Sequence, residues 1–218
     1  MNSWSAVLSH MPAMLYGLRF TFLIAIASLA LSMVFGGIIV SLLRSNVVVA
    51  RSIGFLYVQV FRSLSPYVYV LLVYFALAGV TGWKMDPTTA GIISLTLLNT
   101  AYVAEIYRSA LLTIDDGQWE AAAAMGLTRW KTNSIVIWPQ ALRTALPLLL
   151  NQFIVILKDS AIVGVIGVKD ILYIANAQAS VTYKQFEYLT AVGIIFIVIV
   201  FVLSRLSMNL ERRLAWKR

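Results

Sequence analysis

Ionisable and amide side chains are scarce in this 218-residue chain, and several of them fall inside its most apolar stretches. Charge in a hydrocarbon environment is costly, so such residues mark ion or substrate pathways by default. Asn99, Tyr102 and Glu105 recur at i, i+3 and i+6, which puts them on one stripe of a helix. Arg108 follows Glu105 at i+3, so the two can form an ion pair along that helix. Two readings stay open. In one, Glu105 and Arg108 are a structural pair at the helix end. In the other, Asn99 and Tyr102 line a path, and Glu105 meets a substrate amino group or holds a gate through Arg108 or Arg62. Asn151 and Gln152 sit among leucines, where amides either bond a neighbouring helix or line a cavity. Lys158, Asp159 and Ser160 close the same segment. Lys158 can snorkel outward and Asp159 can cap a following helix.

A second kind of chemistry, recognition of a partner protein, is written in the polar stretch from Asp115 to Trp130. Asp115 or Asp116 can cap a helix start, and Glu120 suits the positive end of a helix. The run Ala121-Ala122-Ala123-Ala124 favours helix and leaves a small-residue face. Gly126 stops the helix as a C′ glycine does. A short, stiff, exposed helix fits a groove on another protein, although a connector lying on the surface would look the same.

The elements that position these groups must be membrane helices. The chain is 61% hydrophobic and 12% charged, with a mean hydropathy of +0.86. Soluble domains run nearer ~45–50% apolar and ~25% charged. That balance excludes an ordinary cytosolic enzyme, a disordered tail and a nucleic-acid module. There is no Cys, and His10 is the single His, so disulfides, Cys-ligated metals and a Ser-His-Asp triad are excluded. No G-x-x-x-x-G-K-[ST] run is present, so no P-loop nucleotide site is expected. Met1–Leu18 lacks Lys and Arg, which argues against a cleaved signal and for retention of the first apolar segment.

The fold class expected is an all-α polytopic membrane protein of one domain over 1–218. Five spans are expected, at approximately 18–43, 55–81, 88–112, 136–158 and 187–206. The loop helix is expected over 117–130. Pro139 and Pro147 predict irregular helix ends or a kink. Asp159–Glu187 is read as short helices folded into the protein or lying at the interface, with a sixth span as the alternative. Gly36-Gly37 permits close helix contact. Trp4, Trp83, Trp119, Trp130, Trp138 and Trp216 mostly fall at span ends, as interfacial anchors do. Of the 17 Lys and Arg, twelve fall on the side that holds the 113–132 loop and the C-terminus, Arg213, Lys217 and Arg218 among them. The positive-inside rule makes that side cytoplasmic and puts the N-terminus outside.

Glu120-Ala121-Ala122, then Gly126, then Val136-Ile137-Trp138-Pro139 resembles the EAA motif of ABC importer permease subunits, with Val136 in place of Ile and Trp138 in place of Leu. Asn99-Thr100-Ala101-Tyr102-Val103-Ala104-Glu105, with Arg108, is similar to the N-x-A-Y-x-A-E-x-x-R run of the polar amino acid branch of that family. Phe61-Arg62-Ser63 resembles its F-R-G/S stretch, with the following proline displaced to Pro66. Leu157-Lys158-Asp159-Ser160 resembles its L-K-D-T run.

The resemblance implies the type I ABC importer architecture, with the loop helix as the coupling helix that docks on an ATPase. It assigns coupling to Gln118, Glu120, Ala121, Ala122, Gly126, Arg129 and Pro139. The substrate path would hold Arg62, Asn99, Tyr102, Glu105, Asn151, Lys158, Asp159 and Ser160. Lys158 or Arg62 with Asp159 or Glu105 could meet both ends of an amino-acid zwitterion. The resemblance further implies a bacterial inner-membrane permease for a polar amino acid, with acidic or uncharged polar substrates favoured by the Phe61-Arg62-Ser63 stretch. It implies a cytoplasmic ABC ATPase dimer, a second permease that is identical or homologous, a periplasmic or lipid-anchored amino-acid-binding protein, and surrounding lipid. No cofactor or metal is expected on this chain, ATP and Mg being held by the ATPase, and no nucleic acid. The rivals are an ion- or proton-coupled carrier working without an ATPase and a non-transporting membrane scaffold.

Overall fold

A computed structural model describes residues 3–82 and 84–215. Trp83, Trp216, Lys217 and Arg218 lie outside the described residues. All regular structure among the described residues is helical. In chain order the elements are α1 (Ser3–Leu43), α2 (Val48–Ser63), α3 (Pro66–Leu71), a π segment (Leu72–Ala76), α4 (Leu77–Thr81), α5 (Pro87–Leu112) and α6 (Asp116–Ala124). Then come α7 (Arg129–Lys131), a second π segment (Thr132–Ile137), α8 (Trp138–Asp159), a 3₁₀ segment (Ser160–Ile166), α9 (Ile171–Thr182) and α10 (Gln185–Ala215). Among the described residues, four helical units are long and apolar enough to cross a membrane, and the bent pair α2 with α3–α4 makes a fifth if it is one span.

The first helix starts at Ser3 rather than near residue 18, because its N-terminal turns have something to pack on. Val7 and Met14 are buried against Ile171, Ala175 and Ala179 of α9 and Tyr188 of α10. The Tyr188 hydroxyl contacts both the Ala6 carbonyl, at 3.1 Å, and His10 Nδ1, at 2.7 Å.

The centre of the fold is α5, packed along α1 and α8. In hydrocarbon there is no hydrophobic force between apolar helices, so close packing and a few hydrogen bonds must hold them. Ser28 donates to the Ile92 carbonyl at 3.2 Å and Ser32 to the Thr96 carbonyl at 3.1 Å. Gly36 lets the two helices meet: a Cβ there would lie 2.7 Å from Val103 Cγ1. Gly37 faces open space and takes no part.

The second expected span is not one straight helix. Ser65 caps α3 by accepting from Val68 N, and Pro66 occupies its first turn. The chain therefore ends one helix and starts another, and the two limbs meet at 103°. Three stacked rings brace the corner. Phe61 lies 4.3 Å from Tyr57 and 5.2 Å from Tyr69, centroid to centroid, and Tyr69 donates across the bend to the Val60 carbonyl at 2.8 Å.

The helix containing Pro139 and Pro147 begins at Arg129, earlier than 136. The π segment Thr132–Ile137 stands directly before Pro139 and widens the backbone where the proline ring and its missing N–H disturb the ladder. The 159–187 region forms a 3₁₀ segment and α9, the latter packed against α1 and α10. The last helix runs beyond 187–206, to Gln185–Ala215. Trp138 stacks edge-on against Tyr107 at 5.5 Å, so its ring is a packing group inside the bundle.

Candidate functional site

The polar residues of the apolar core divide into those brought together and those turned away. Asn99 on α5 is 1% exposed, and both ends of its amide are engaged. Nδ2 donates to the Leu95 carbonyl at 2.7 Å, and Oδ1 accepts from Gln152 Nε2 of α8 at 2.7 Å. Gln152 has a further N–H and a carbonyl oxygen, and it is only partly buried. Towards the 113–128 end of the bundle, Tyr102 lies under Arg62 of α2, whose guanidinium carbon is 5.3 Å from the ring centroid. One turn further, Glu105 Oε2 accepts from Arg108 Nη2 at 2.7 Å and Nε at 3.0 Å. Towards the other end, Asp159 shares a face of α8 with Gln152 at i, i+7 and is partly exposed. From Asp159 through Gln152 and Asn99 to Glu105 the helix rise amounts to about 20 Å.

Two residues expected on this path face elsewhere. Asn151 accepts from Ser207 of α10 at 3.3 Å and so joins α8 to α10. Ser160 is fully buried and donates to the Leu157 carbonyl at 2.8 Å, which closes the helix end. Lys158 is exposed but stands about a quarter turn from the Gln152–Asp159 face. Gln152 takes the place given to Asn151. The two amides are neighbours in sequence, and only the identity of the facing helix separates them.

The loop helix is shorter than 117–130. Asp115 caps α6 by accepting from Gly117 N at 2.7 Å. It stops at Ala124 because Gly126 adopts φ +73°, the left-handed region. Leu127 N then bonds the Ala122 carbonyl at 3.1 Å and Gly126 N the Ala123 carbonyl at 2.9 Å, a Schellman closure. Arg129 therefore belongs to the first turn of the next helix, and Pro139 to α8, not to this one.

The inner side of α6 is anchored. Ala122 is 1% exposed and so faces the bundle rather than a partner. Trp119 packs in the cluster with Val40 and Tyr107 and lies under Arg44, 5.8 Å from its guanidinium carbon. Gln118 Oε1 accepts from Gln140 Nε2 at 3.1 Å, tying α6 to α8. The outer side presents Glu120, Ala121, Gly126 and Arg129, with Met125 70% and Trp130 78% exposed. This is a rigid apolar and charged face seated directly on the helices that carry Tyr107 and Gln152.

Residues 33–216 match the family model described as the binding-protein-dependent transport system inner membrane component. The chain belongs to that family. It is 34% identical to the glutamine transport system permease protein GlnP of Escherichia coli (strain K12), over 97% of both chains. It is equally 34% identical to the probable amino-acid permease protein YxeN of Bacillus subtilis (strain 168), over 97% of this chain and 96% of that one. Among solved structures, a chain of "an amino acid ABC transporter with histidines" superposes with a TM-score of 0.90 at 34% identity, covering 96% of this chain and 98% of that chain. A chain of the inward-facing MetNI methionine ABC transporter shares the fold, with a TM-score of 0.77 at 20% identity.

The permease is thus an ABC importer membrane subunit of the type I fold, the architecture expected from the sequence. In this class the ATPase is a separate subunit. Sequence reasoning missed Gln152 as the partner of Asn99, the Gln118–Gln140 tie and the Tyr57–Phe61–Tyr69 stack. The aromatic residues at 57, 61 and 69 read as ordinary apolar span in sequence, and only the bend at Pro66 folds them onto one another.

Proposed function

We propose that this permease carries a polar amino acid inward by alternating access, with the Asp159–Gln152–Asn99–Glu105 column as its path. The observation that carries the reading is the Gln152–Asn99 hydrogen bond at 2.7 Å. It puts an amide with spare hydrogen-bonding capacity midway along the column. A zwitterion needs donors for its carboxylate and an acceptor for its ammonium. Arg62 and Gln152 N–H supply the first, and Asp159, the Gln152 carbonyl and Glu105 the second. Arg62 lies over Tyr102 at the next level, so a substrate moving past Gln152 meets a guanidinium and then a carboxylate.

In this reading the N-terminus is outside and the 113–128 loop is cytoplasmic. The α6 face of Glu120, Ala121, Gly126, Met125, Arg129 and Trp130 docks on one subunit of an ABC ATPase dimer, which holds ATP and Mg. This chain binds no cofactor. A second permease, identical or homologous, completes the path, and a periplasmic or lipid-anchored binding protein delivers the amino acid to the outer side. Movement of α6 is passed to α8 through the Gln118–Gln140 bond and to α5 through Trp119 and Tyr107, which shifts the population between inward- and outward-open states.

The test is reconstitution in vesicles with and without the ATPase and binding protein, against a panel of labelled amino acids. Uptake that needs both proteins and ATP supports the importer. Uptake by this chain alone, driven by an ion gradient, would falsify it in favour of the ion-coupled carrier.

A further inference from the structure

We infer that the crevice between α1, α2 and α5 is the seat of one acyl chain of a membrane lipid. The crevice has a volume of about 380 Å³. Its open side is made by Leu31, Phe35 and Ile38 of α1, which are 42%, 47% and 53% exposed. They continue the exposed, uncharged row of Leu23, Ile26 and Val34, a surface that hydrocarbon covers in a bilayer. The inference rests on the chain lying in a membrane and not on what it carries.

The lining selects among occupants. It is almost wholly apolar, and the polar atoms on it are three hydroxyls. Tyr57 spends its proton on the Leu97 carbonyl at 2.8 Å and lies beside Thr100. Thr96 is 5% exposed, and its hydroxyl has no hydrogen-bond partner. A stable water needs about two to four polar partners, and the Thr96 and Thr100 hydroxyl oxygens are buried beneath the crevice surface rather than presented on it. A helix from another subunit is about 10 Å across with its side chains, too wide for a slot of this volume. A single file of methylenes, entering from the lipid side, matches both the volume and the apolarity.

The occupant would bear on the path. Tyr57 forms part of the crevice wall and is the first ring of the Tyr57–Phe61–Tyr69 stack that braces the 103° bend. Arg62, beside Phe61, is the residue lying over Tyr102. A chain in the crevice backs the Tyr57 ring and holds this corner, and an empty crevice leaves the ring free to swing away from Phe61.

The chain has no cysteine, so an introduced one is unique, and its six tryptophans are accounted for by difference. The L31W variant, purified in detergent, is titrated with a phosphatidylethanolamine bearing dibrominated acyl chains, and quenching is taken as the difference from the unmodified protein. Expected is quenching that saturates at a stoichiometric amount of lipid and is lost when T96F fills the crevice. Because the Thr96 hydroxyl has no partner, that filling breaks no hydrogen bond. I93F serves as a second filling variant should T96F not fold. I26W, on the same surface outside the crevice, should show only non-saturating quenching that neither filling variant changes. Identical, non-saturating behaviour of L31W and I26W would overturn the proposal. So would efficient disulfide cross-linking of two copies through F35C, which would make the crevice a contact between permeases.

Discussion

Gln152 on α8 and Asn99 on α5 are joined amide to amide at 2.7 Å, a direct side-chain bond between two central helices. A hydrogen bond between membrane helices contributes about 0.6 kcal/mol on average and at most about 1.7. The bond therefore holds the helices together only weakly, and its position on the column matters more than its strength. Replacement of Gln152 by Leu should lower the thermal midpoint by only a few degrees. The apparent affinity for the transported amino acid should fall about tenfold, the worth of one hydrogen bond of ~1.4 kcal/mol. Uptake kinetics in vesicles and a melting curve, taken together, check this. A large stability loss with unchanged affinity would make the pair structural.

Glu105 poses a complementary test. Its bond to Arg108 lies within one helix, with side-chain exposures of 26% and 47%. Solvent-accessible pairs of this kind contribute about 0–1 kcal/mol. Glu105→Gln should accordingly leave the fold intact and cut uptake. Unchanged uptake and stability would remove Glu105 from the path.

The α6 face predicts a separation of folding from coupling. Glu120→Ala removes an exposed carboxylate that makes no contact needed for the helix, so the permease should fold normally while the ATPase no longer co-purifies stoichiometrically. Gly126→Ala forces a side chain into φ +73° and should cost about 1–2 kcal/mol locally, loosening the end of α6. Both are read by the amount of ATPase retained and by the ATP hydrolysed per amino acid taken up. Retention of full coupling in both variants would displace the docking surface from α6.

Asp170, which caps α9, gives a pH dependence. It is fully buried, with Oδ1 accepting from Tyr173 N at 2.7 Å and Oδ2 without a partner. Burial raises its carboxyl from the ordinary 3.8 to about 6, against the smaller opposing effect of backbone N–H donors. The folded state thus prefers the protonated form. Its stabilising contribution is fully present below about pH 3.8 and is lost as pH rises through about 6. The loss amounts to at most about 3 kcal/mol. Asp170→Asn keeps an acceptor for Tyr173 N and removes the ionisation. The difference in melting temperature between the two proteins should widen in favour of the variant from pH 4 to 7, and a constant difference would refute the assignment.

What is legible in the sequence belongs to residues whose role is local. Gly126 stops a helix for reasons internal to its own turn, and Pro139 disturbs the ladder wherever the helix goes. The EAA spacing and the Asn99–Arg108 run, set within the expected topology, point to the family from the sequence alone. What could not be read depended on a facing surface. Asn151 and Gln152 are identical in kind and adjacent, and the bundle sends one to Ser207 and the other to Asn99. The bend at Ser65-Pro66 is written in a capping serine and a first-turn proline, yet the uninterrupted apolar run around it reads as a single span. α1 extends to Ser3 only because α9 and α10 return to cover Val7 and Met14.

The Glu105–Arg108 contact is the one ion pair among the described residues, and it joins no two helices. Cohesion of the bundle rests mainly on hydroxyls, amides, small residues and rings, and the charged contacts between elements are the guanidinium–ring pairs Arg44–Trp119 and Arg62–Tyr102. Most of the charges are thereby released from holding the protein together. Salt added to the medium should weaken attachment to the ATPase and the passage of a charged solute while leaving the helices where they are, so ionic strength can serve as a dial that reads the transporter's work separately from its architecture.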